Sequence, residues 1–201
     1  LRWVDVAESS ETTLVRIRTR SDYEQATPAL RVDTISGEYT NRLNGNTYQV
    51  NDYGLIRQPK LSAIYLVSDT VSVYANVGRT FQVGVGTGSY KVNQTRDLAP
   101  SINEGWEAGI RFRPLAWLDG RVAVWDQTAS NEARRKLNDP ANDAENIGRT
   151  RRQGVDIEIN ARPSSQLNFW FAGAIQRSRI LQADASAAGT EGKEIDHVPH
   201  L

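Results

Sequence analysis

The sequence predicts an all-β fold: an antiparallel up-and-down meander forming part of a transmembrane β-barrel, about ten strands of a larger one. Three observations predict it. Apolar residues recur at every second position, the signature of a half-buried strand. The connections between such segments alternate short and long, as in barrels with short turns at one rim and long loops at the other. No stretch of about a dozen residues shows a 3.6-residue period. The longest apolar run, Leu61 to Val67 with Ser62 inside it, falls far short of the roughly 18 residues of a membrane helix.

Taken in order, the segments are 1–8, 13–22, 29–42, 60–67, 71–80, 104–113, 118–129, 149–161, 166–177 and 194–201. The first opens on Leu1-Arg2-Trp3-Val4, as if in mid-strand. Ala26-Thr27-Pro28 predicts a short turn before the third, and 43–59 a long loop after it. In 71–80, Val71, Val73, Ala75 and Val77 alternate with Ser72, Tyr74, Asn76 and Gly78. Ser68-Asp69-Thr70 is the short turn before that strand, and 81–103 the long loop after it. In 104–113, Trp106, Ala108, Ile110 and Phe112 alternate with Gly105, Glu107, Gly109 and Arg111. Pro114-Leu115-Ala116-Trp117 then turns the chain into 118–129, and 130–148 is the next long loop. In 149–161, Val155, Ile157, Ile159 and Ala161 alternate with Gly154, Asp156, Glu158 and Asn160. Pro163-Ser164-Ser165-Gln166 and the long loop 178–193 complete the pattern. All seven prolines are expected in connections or at strand edges, where no ladder donor is lost.

Arg113-Pro114 and Arg162-Pro163 lie 49 residues apart, and Leu118/Leu167 and Gln127/Gln176 share that offset. The echoed unit is one strand in, an Arg-Pro turn, one strand out and a long loop. A propeller blade would need four short strands in about 40–45 residues.

Composition narrows the function classes. With 24 Lys+Arg against 24 Asp+Glu, no net positive field draws in phosphate, so nucleic acid is not an expected partner. The absence of Cys excludes disulfides, thiolate metal sites and Cys nucleophiles. A hydrophobic fraction of 39% suits a soluble domain and a membrane barrel equally, since barrel strands keep one polar face. A soluble β-sandwich or lipocalin-like barrel would show shorter strands and no asymmetry in loop length. The chain has no initiator Met and no secretory leader, and reads as a single partial domain, 1–201, truncated at both ends.

In the middle of the chain, Pro59-Lys60-Leu61-Ser62-Ala63-Ile64-Tyr65 followed by Ser68-Asp69 is similar to one strand and turn of the family of TonB-dependent outer-membrane receptors of the siderophore-receptor type. Val71 to Phe81 resembles its "lsvYanygrsF" strand, Asn103 to Arg111 its "n…yEaGlK" strand, and Arg149 to Glu158 its "r.rGvEle" strand. Gly192 to Pro199 resembles the "G..ip.vP" entry to a further strand. These stations keep family order over 59–199. Asp156 departs from the usual Glu, and Arg111 from the common Lys. The resemblance implies a 22-stranded barrel whose lumen is filled by a plug domain. It implies an outer-membrane location, no enzymatic activity and no cofactor. The partners it implies are ferric siderophore or a similar small ligand, outer-membrane lipid, and the TonB energy-coupling system acting through a plug region. A passive porin or structural barrel, and a soluble β-sheet binding domain, are the alternatives.

Charges on strands are the informative polar residues. Glu107, Arg111, Asp156 and Glu158 fall on polar faces and are expected to face the lumen, because Arg near the bilayer midplane costs about 2–4 kcal/mol. Val71, Val73, Ala75, Val77, Val155, Ile157 and Ile159 are expected to share the lipid side. Arg outnumbers Lys by 20 to 4. Ion pairs to a plug or to lipopolysaccharide phosphates would suit the guanidinium fork, and GC-rich coding would give the same bias. Aromatic girdles are expected from Trp106, Tyr74, Phe81, Trp117, Trp125, Phe169, Trp170 and Phe171. Cargo contacts are expected in the long loops, with Arg96, Arg134 and Arg135 as ligand-binding residues for an anionic ferric complex. No catalytic or metal site is expected. The Gly-rich run 83–89 has Ser where a dinucleotide fingerprint needs its third Gly. The acidic run 138–145 lacks the spacing of an EF-hand. His197 and His200, at i and i+3, would face opposite sides of a strand.

Overall fold

The computed structural model describes residues 4–16, 19–20, 24–42, 45–50, 53–83, 99–135, 144–185 and 188–195. They form one antiparallel sheet of ten strands. The strands are β1 (Val4–Arg16), β2 (Thr19–Arg20), β3 (Glu24–Asn41), β4 (Thr47–Val50), β5 (Leu55–Ser68), β6 (Val71–Gln82), β7 (Ser101–Leu115), β8 (Leu118–Arg135), β9 (Ala144–Ser164) and β10 (Leu167–Ala183). The path β1-β3-β5-β6-β7-β8-β9-β10 is an up-and-down meander, with β2 and β4 both laid against β3. The sheet is open, with β1 and β10 as its end strands.

Two-residue turns at 69–70, 116–117 and 165–166 close the hairpins at one end. At the other end the chain runs from Gln82 to Ser101 and from Arg135 to Ala144 between strands. The expected asymmetry of the two rims is therefore present.

Five boundaries differ from those expected from sequence. Segments 1–8 and 13–22 become one long strand followed by the short β2, because Glu8 to Thr12 pair with Gly37 to Asp33 of β3. A polar stretch that reads as a connection in isolation is held by its neighbour's ladder. Ala26-Thr27-Pro28 is no turn but part of β3, opposite Ala63, Ser62 and Leu61. Pro28 sits between the residues of β3 that pair with β2 and those that pair with β1, so its missing N–H falls at the break between them. Pro59 likewise lies within β5, opposite Leu30. The expected loop 43–59 contains β4 and the start of β5, and the expected loop 130–148 shrinks because β8 and β9 stay paired to Arg135 and Ala144. Glu194 and Ile195 are not strand, and 196–201, with His197 and His200, lie outside the described residues. So do 84–89 of the Gly-rich run and 138–143 of the acidic run.

Register sorts the side chains into two faces, since residues directly opposite on antiparallel strands project to the same side. Val73, Ile110, Val122, Ile157 and Gly173 form one continuous rung, and Ala75, Ala108, Val124, Val155 and Ile175 the next. Val71, Val77 and Ile159 belong to the same face. Glu107, Arg111, Asp156 and Glu158 all lie on the opposite one.

Among the described residues nothing forms a second layer over the apolar face. Trp106 is 49% exposed, Phe169 60% and Ile175 63%. A soluble domain buries such a face against another sheet or helix. Here it forms a band running from Leu167 to Ile175 along β10. That distance is about 27 Å at about 3.4 Å per residue, or about 21 Å across a bilayer at a tilt of about 40°. The band approaches the roughly 25 Å apolar height of outer-membrane barrels.

Candidate functional site

The polar face of β6 to β10 carries a connected set of side chains. Tyr74 on β6 lies opposite Gly109 on β7, and a Cβ at Gly109 would stand 2.7 Å from its ring atoms. The missing side chain lets the ring lie flat across the neighbouring strand. From there the Tyr74 hydroxyl donates to Glu107 Oε1 at 2.6 Å. Arg111 stacks its guanidinium 4.7 Å from the centre of the same ring. Arg121 on β8 links two carboxylates, with Nη1 3.8 Å from Glu107 and Nη2 3.7 Å from Glu158. The Trp170 indole N–H donates to Glu158 Oε1 at 3.3 Å.

The arrangement repeats one hairpin along. Trp125 on β8 lies opposite Gly154 on β9, where a Cβ would meet the indole at 2.7 Å and the Ile175 carbonyl at 2.8 Å. Its indole N–H donates to Asp156 Oδ1 at 3.1 Å. Toward the short turns this face forms an open hollow of about 570 Å³, lined in part by Arg111, Arg113, Asp119, Arg121 and Glu158.

Toward the long connections, beyond the apolar band, Arg152 grips Glu132 with Nη2 to Oε1 at 2.5 Å and Nη1 to Oε2 at 3.0 Å, and the Thr150 hydroxyl donates to the same carboxylate. Burial alone would raise the Glu132 pKa, but Arg152 and Thr150 outweigh it and hold the carboxyl below its ordinary value of 4.5. Across the sheet, buried Asp33 accepts Arg31 Nε at 2.9 Å and Nη2 at 2.8 Å, and the Gln58 amide.

Three of the four polar-face residues named from sequence, Glu107, Arg111 and Glu158, meet around Tyr74 and Arg121, while Asp156 accepts from Trp125 one hairpin along; Arg121 was not among the residues named from sequence. Val122 and Val124 alternate with Arg121, Ala123 and Trp125, a signal that could have put Arg121 on the polar face, but its partners belong to other strands. Tyr74, Trp125 and Trp170 were expected in aromatic girdles and instead occupy the polar face, each donating its O–H or N–H to a carboxylate. Trp106, Phe169 and Phe171 stay on the apolar face. Trp117 stands at a short turn, 43% exposed. Of the loop arginines, Arg96 lies outside the described residues. Arg134 and Arg135 are not in a loop: their backbone closes the β8–β9 ladder opposite Glu145 and Ala144.

Comparison with known proteins gives a consistent answer. A family model described as "TonB dependent receptor-like, beta-barrel" matches residues 16–201. No curated protein matches the chain in sequence. Among solved structures, the ferric citrate transporter FecA in its unliganded form is similar over 99% of this chain and 30% of its own, at 18% identity and a TM-score of 0.76. The pyoverdine outer membrane receptor FpvA from Pseudomonas aeruginosa PAO1, bound to pyoverdine, covers 96% of this chain and 27% of its own, at 19% identity and a TM-score of 0.67. The alcaligin outer membrane receptor FauA from Bordetella pertussis covers 96% and 32%, at 16% identity and a TM-score of 0.66. The chain spans about a third or less of the length of these proteins.

Proposed function

The chain belongs to the TonB-dependent receptor family of the outer membrane, as part of its β-barrel, and from that premise we propose that it walls the import path of a receptor for ferric siderophores, driven by TonB. In this reading the apolar face meets lipid, and the face bearing Glu107, Arg111, Asp156 and Glu158 lines the lumen and seats a plug. The observation that carries it is the split of one unlayered sheet into an apolar band and a hydrogen-bonded polar face. The described structures of ferric citrate, pyoverdine and alcaligin proteins support the cargo class. Residues 1–201 form a single segment of the barrel domain. Arg96, Arg134 and Arg135 are the proposed ligand contacts, at the rim of the long connections. The barrel itself does no chemistry in this account.

Uptake of radioactive iron from a panel of ferric siderophores tests it, in cells whose only such receptor is the full-length protein. Uptake of at least one complex, abolished when TonB is deleted, is the expected result. Accumulation that persists without TonB contradicts the receptor reading and favours a passive barrel. Arg134→Ala/Arg135→Ala and Arg96→Ala are expected to weaken binding with heat-modifiable gel mobility unchanged.

A further inference from the structure

Two glycines face one another on the polar face where β6 meets β7. Gly78 pairs with Lys60 of β5 on one side and with Gly105 on the other, and Gly105 pairs in turn with Gln127 of β8. Bare backbone therefore spans the strand spacings from Lys60 to Gln127, about 14 Å. A hollow of about 350 Å³ lies over it, on the long-connection side of the Tyr74–Glu107 hydrogen bond, bordered by Lys60, Asn76, Asn103, Glu107, Trp125 and Gln127.

Packing accounts for only one of the two glycines. A Cβ at Gly105 would stand 2.9 Å from the Asp126 carbonyl. Gly78 is different. Its φ is not positive, and a Cβ there would have Lys60 Cγ as its nearest neighbour at 3.4 Å, an ordinary contact with a flexible side chain. Glycine weakens a strand interior, and in a strand it often marks close approach by a ligand. Tyr74 and Trp125 show what bare backbone on this face receives, since each lays a ring over a glycine. The atoms nearest Gly78 and Gly105 belong instead to backbone and to the aliphatic parts of Lys60 and Gln127. The border of the hollow is rich in hydrogen-bonding groups. Glu107 is engaged by Tyr74 and Arg121. Gln127 Nε2 donates to Asn103 Oδ1 at 3.0 Å, which leaves the Gln127 carbonyl oxygen as an acceptor and the Asn103 N–H groups as donors. Among the described residues neither Lys60 nor Asn76 has a side-chain partner.

We propose that this hollow receives one six-membered ring bearing adjacent hydroxyl groups, phenolic or sugar, carried by the imported ligand. The ring lies on the bare backbone at Gly78 and Gly105 and packs against Trp125. Its hydroxyls, each both donor and acceptor, meet the amides of Asn76, Asn103 and Gln127, which offer both kinds of partner side by side. The volume falls at the lower end of small-molecule sites and suits a single ring, with the rest of the ligand in the lumen. The site rests on the lumen-facing and import reading made above. On a path from the long connections it comes before the Tyr74, Glu107 and Arg121 set.

The test is saturation-transfer NMR on the full-length protein in detergent, with catechol, its dimethyl ether and methyl glucoside as probes. The expected result is saturable binding of at least one hydroxylated probe, none of the dimethyl ether, and loss of binding in Gly78→Leu, whose side chain fills the hollow. Gly78→Ala, which the 3.4 Å spacing admits, is expected to keep heat-modifiable gel mobility and to weaken binding severalfold, so the outcome does not depend on assembly of the larger variant. Binding of catechol alone assigns a phenolic ring, and of the glucoside alone a sugar. Equal binding by wild type and the Gly78 variants overturns the proposal, as does equal binding of the dimethyl ether. If Gly78→Leu makes cells permeable to vancomycin while probe binding is unchanged, Gly78 makes room for a plug and the ring site is wrong. TonB-dependent iron uptake is measured alongside. Uptake without Gly78-dependent probe binding removes this site alone, whereas Gly78-dependent binding without TonB-dependent uptake of any complex keeps the site and removes the import reading.

Discussion

At the scale of single residues, two aromatic–glycine pairs set the polar face. Tyr74 over Gly109 and Trp125 over Gly154 each use a missing side chain to bring a ring flat against the sheet and its polar atom onto a carboxylate. Gly154→Ala places a methyl 2.8 Å from a backbone carbonyl as well as against the indole, so it cannot be absorbed by one rotamer change. It is expected to destabilise the barrel by about 1–3 kcal/mol, read by urea unfolding of the full-length protein in detergent. Tyr74→Phe removes the donor to Glu107 and should cost about 1 kcal/mol while leaving the fold intact. Glu132 adds a pH dependence. Its folded-state pKa is depressed, so its contribution is present above the ordinary carboxylate value and lost as pH falls through the depressed one. Glu132→Gln should flatten the acid limb of a stability-against-pH curve, and an unchanged limb would count against the assignment. Period-2 alternation revealed which face each of these residues occupies. Their partners were not legible, because Arg121 meets Glu107 and Glu158 only through a register that no single strand encodes.

At the scale of strands and turns, the repeated Arg-Pro has a mechanical role. Arg113 N–H donates to the Thr70 carbonyl, and Arg162 N–H to the Trp117 carbonyl, each at 2.7 Å. Each Arg therefore ties its strand to the preceding short turn, and the Pro that follows brings no N–H to extend the ladder. Strand type and the alternation of connections were readable for this reason: turn chemistry repeats along the chain. Strand ends were not, because ladders at the long-connection rim run past the apolar pattern. Polar β1 and the β8–β9 extension to Arg135 and Ala144 are held by pairing rather than by hydrophobicity. The two faces of β9 should answer oppositely to charge. Ile157→Arg is expected to cost about 2–4 kcal/mol, whereas Asp156→Asn on the adjacent position should cost less than about 1 kcal/mol. Equal costs at the two sites, measured by unfolding of the full-length protein in lipid vesicles, would contradict the facing of the strand.

At the scale of the whole molecule, the sheet makes sense only as part of something larger. Among the described residues its apolar side has no second layer and its end strands pair on one side, and it matches solved receptors over less than a third of their length. A single wall of this kind becomes stable when the ring closes and lipid replaces water against the band. The central claim is that one face meets lipid and the other a hydrated lumen, and consecutive residues of β9 test it most directly. The chain has no native Cys. Single substitutions Val155→Cys, Asp156→Cys, Ile157→Cys, Glu158→Cys and Ile159→Cys in the full-length protein can therefore be scanned in isolated outer membranes with a water-soluble maleimide and a lipid-soluble quencher. Maleimide labelling is expected at 156 and 158 and quenching at 155, 157 and 159, with the same alternation in a control scan of β7, where 106, 108 and 110 are quenched and 107 and 109 labelled. Uniform labelling of all five positions, or quenching at 156 and 158 instead, would contradict it.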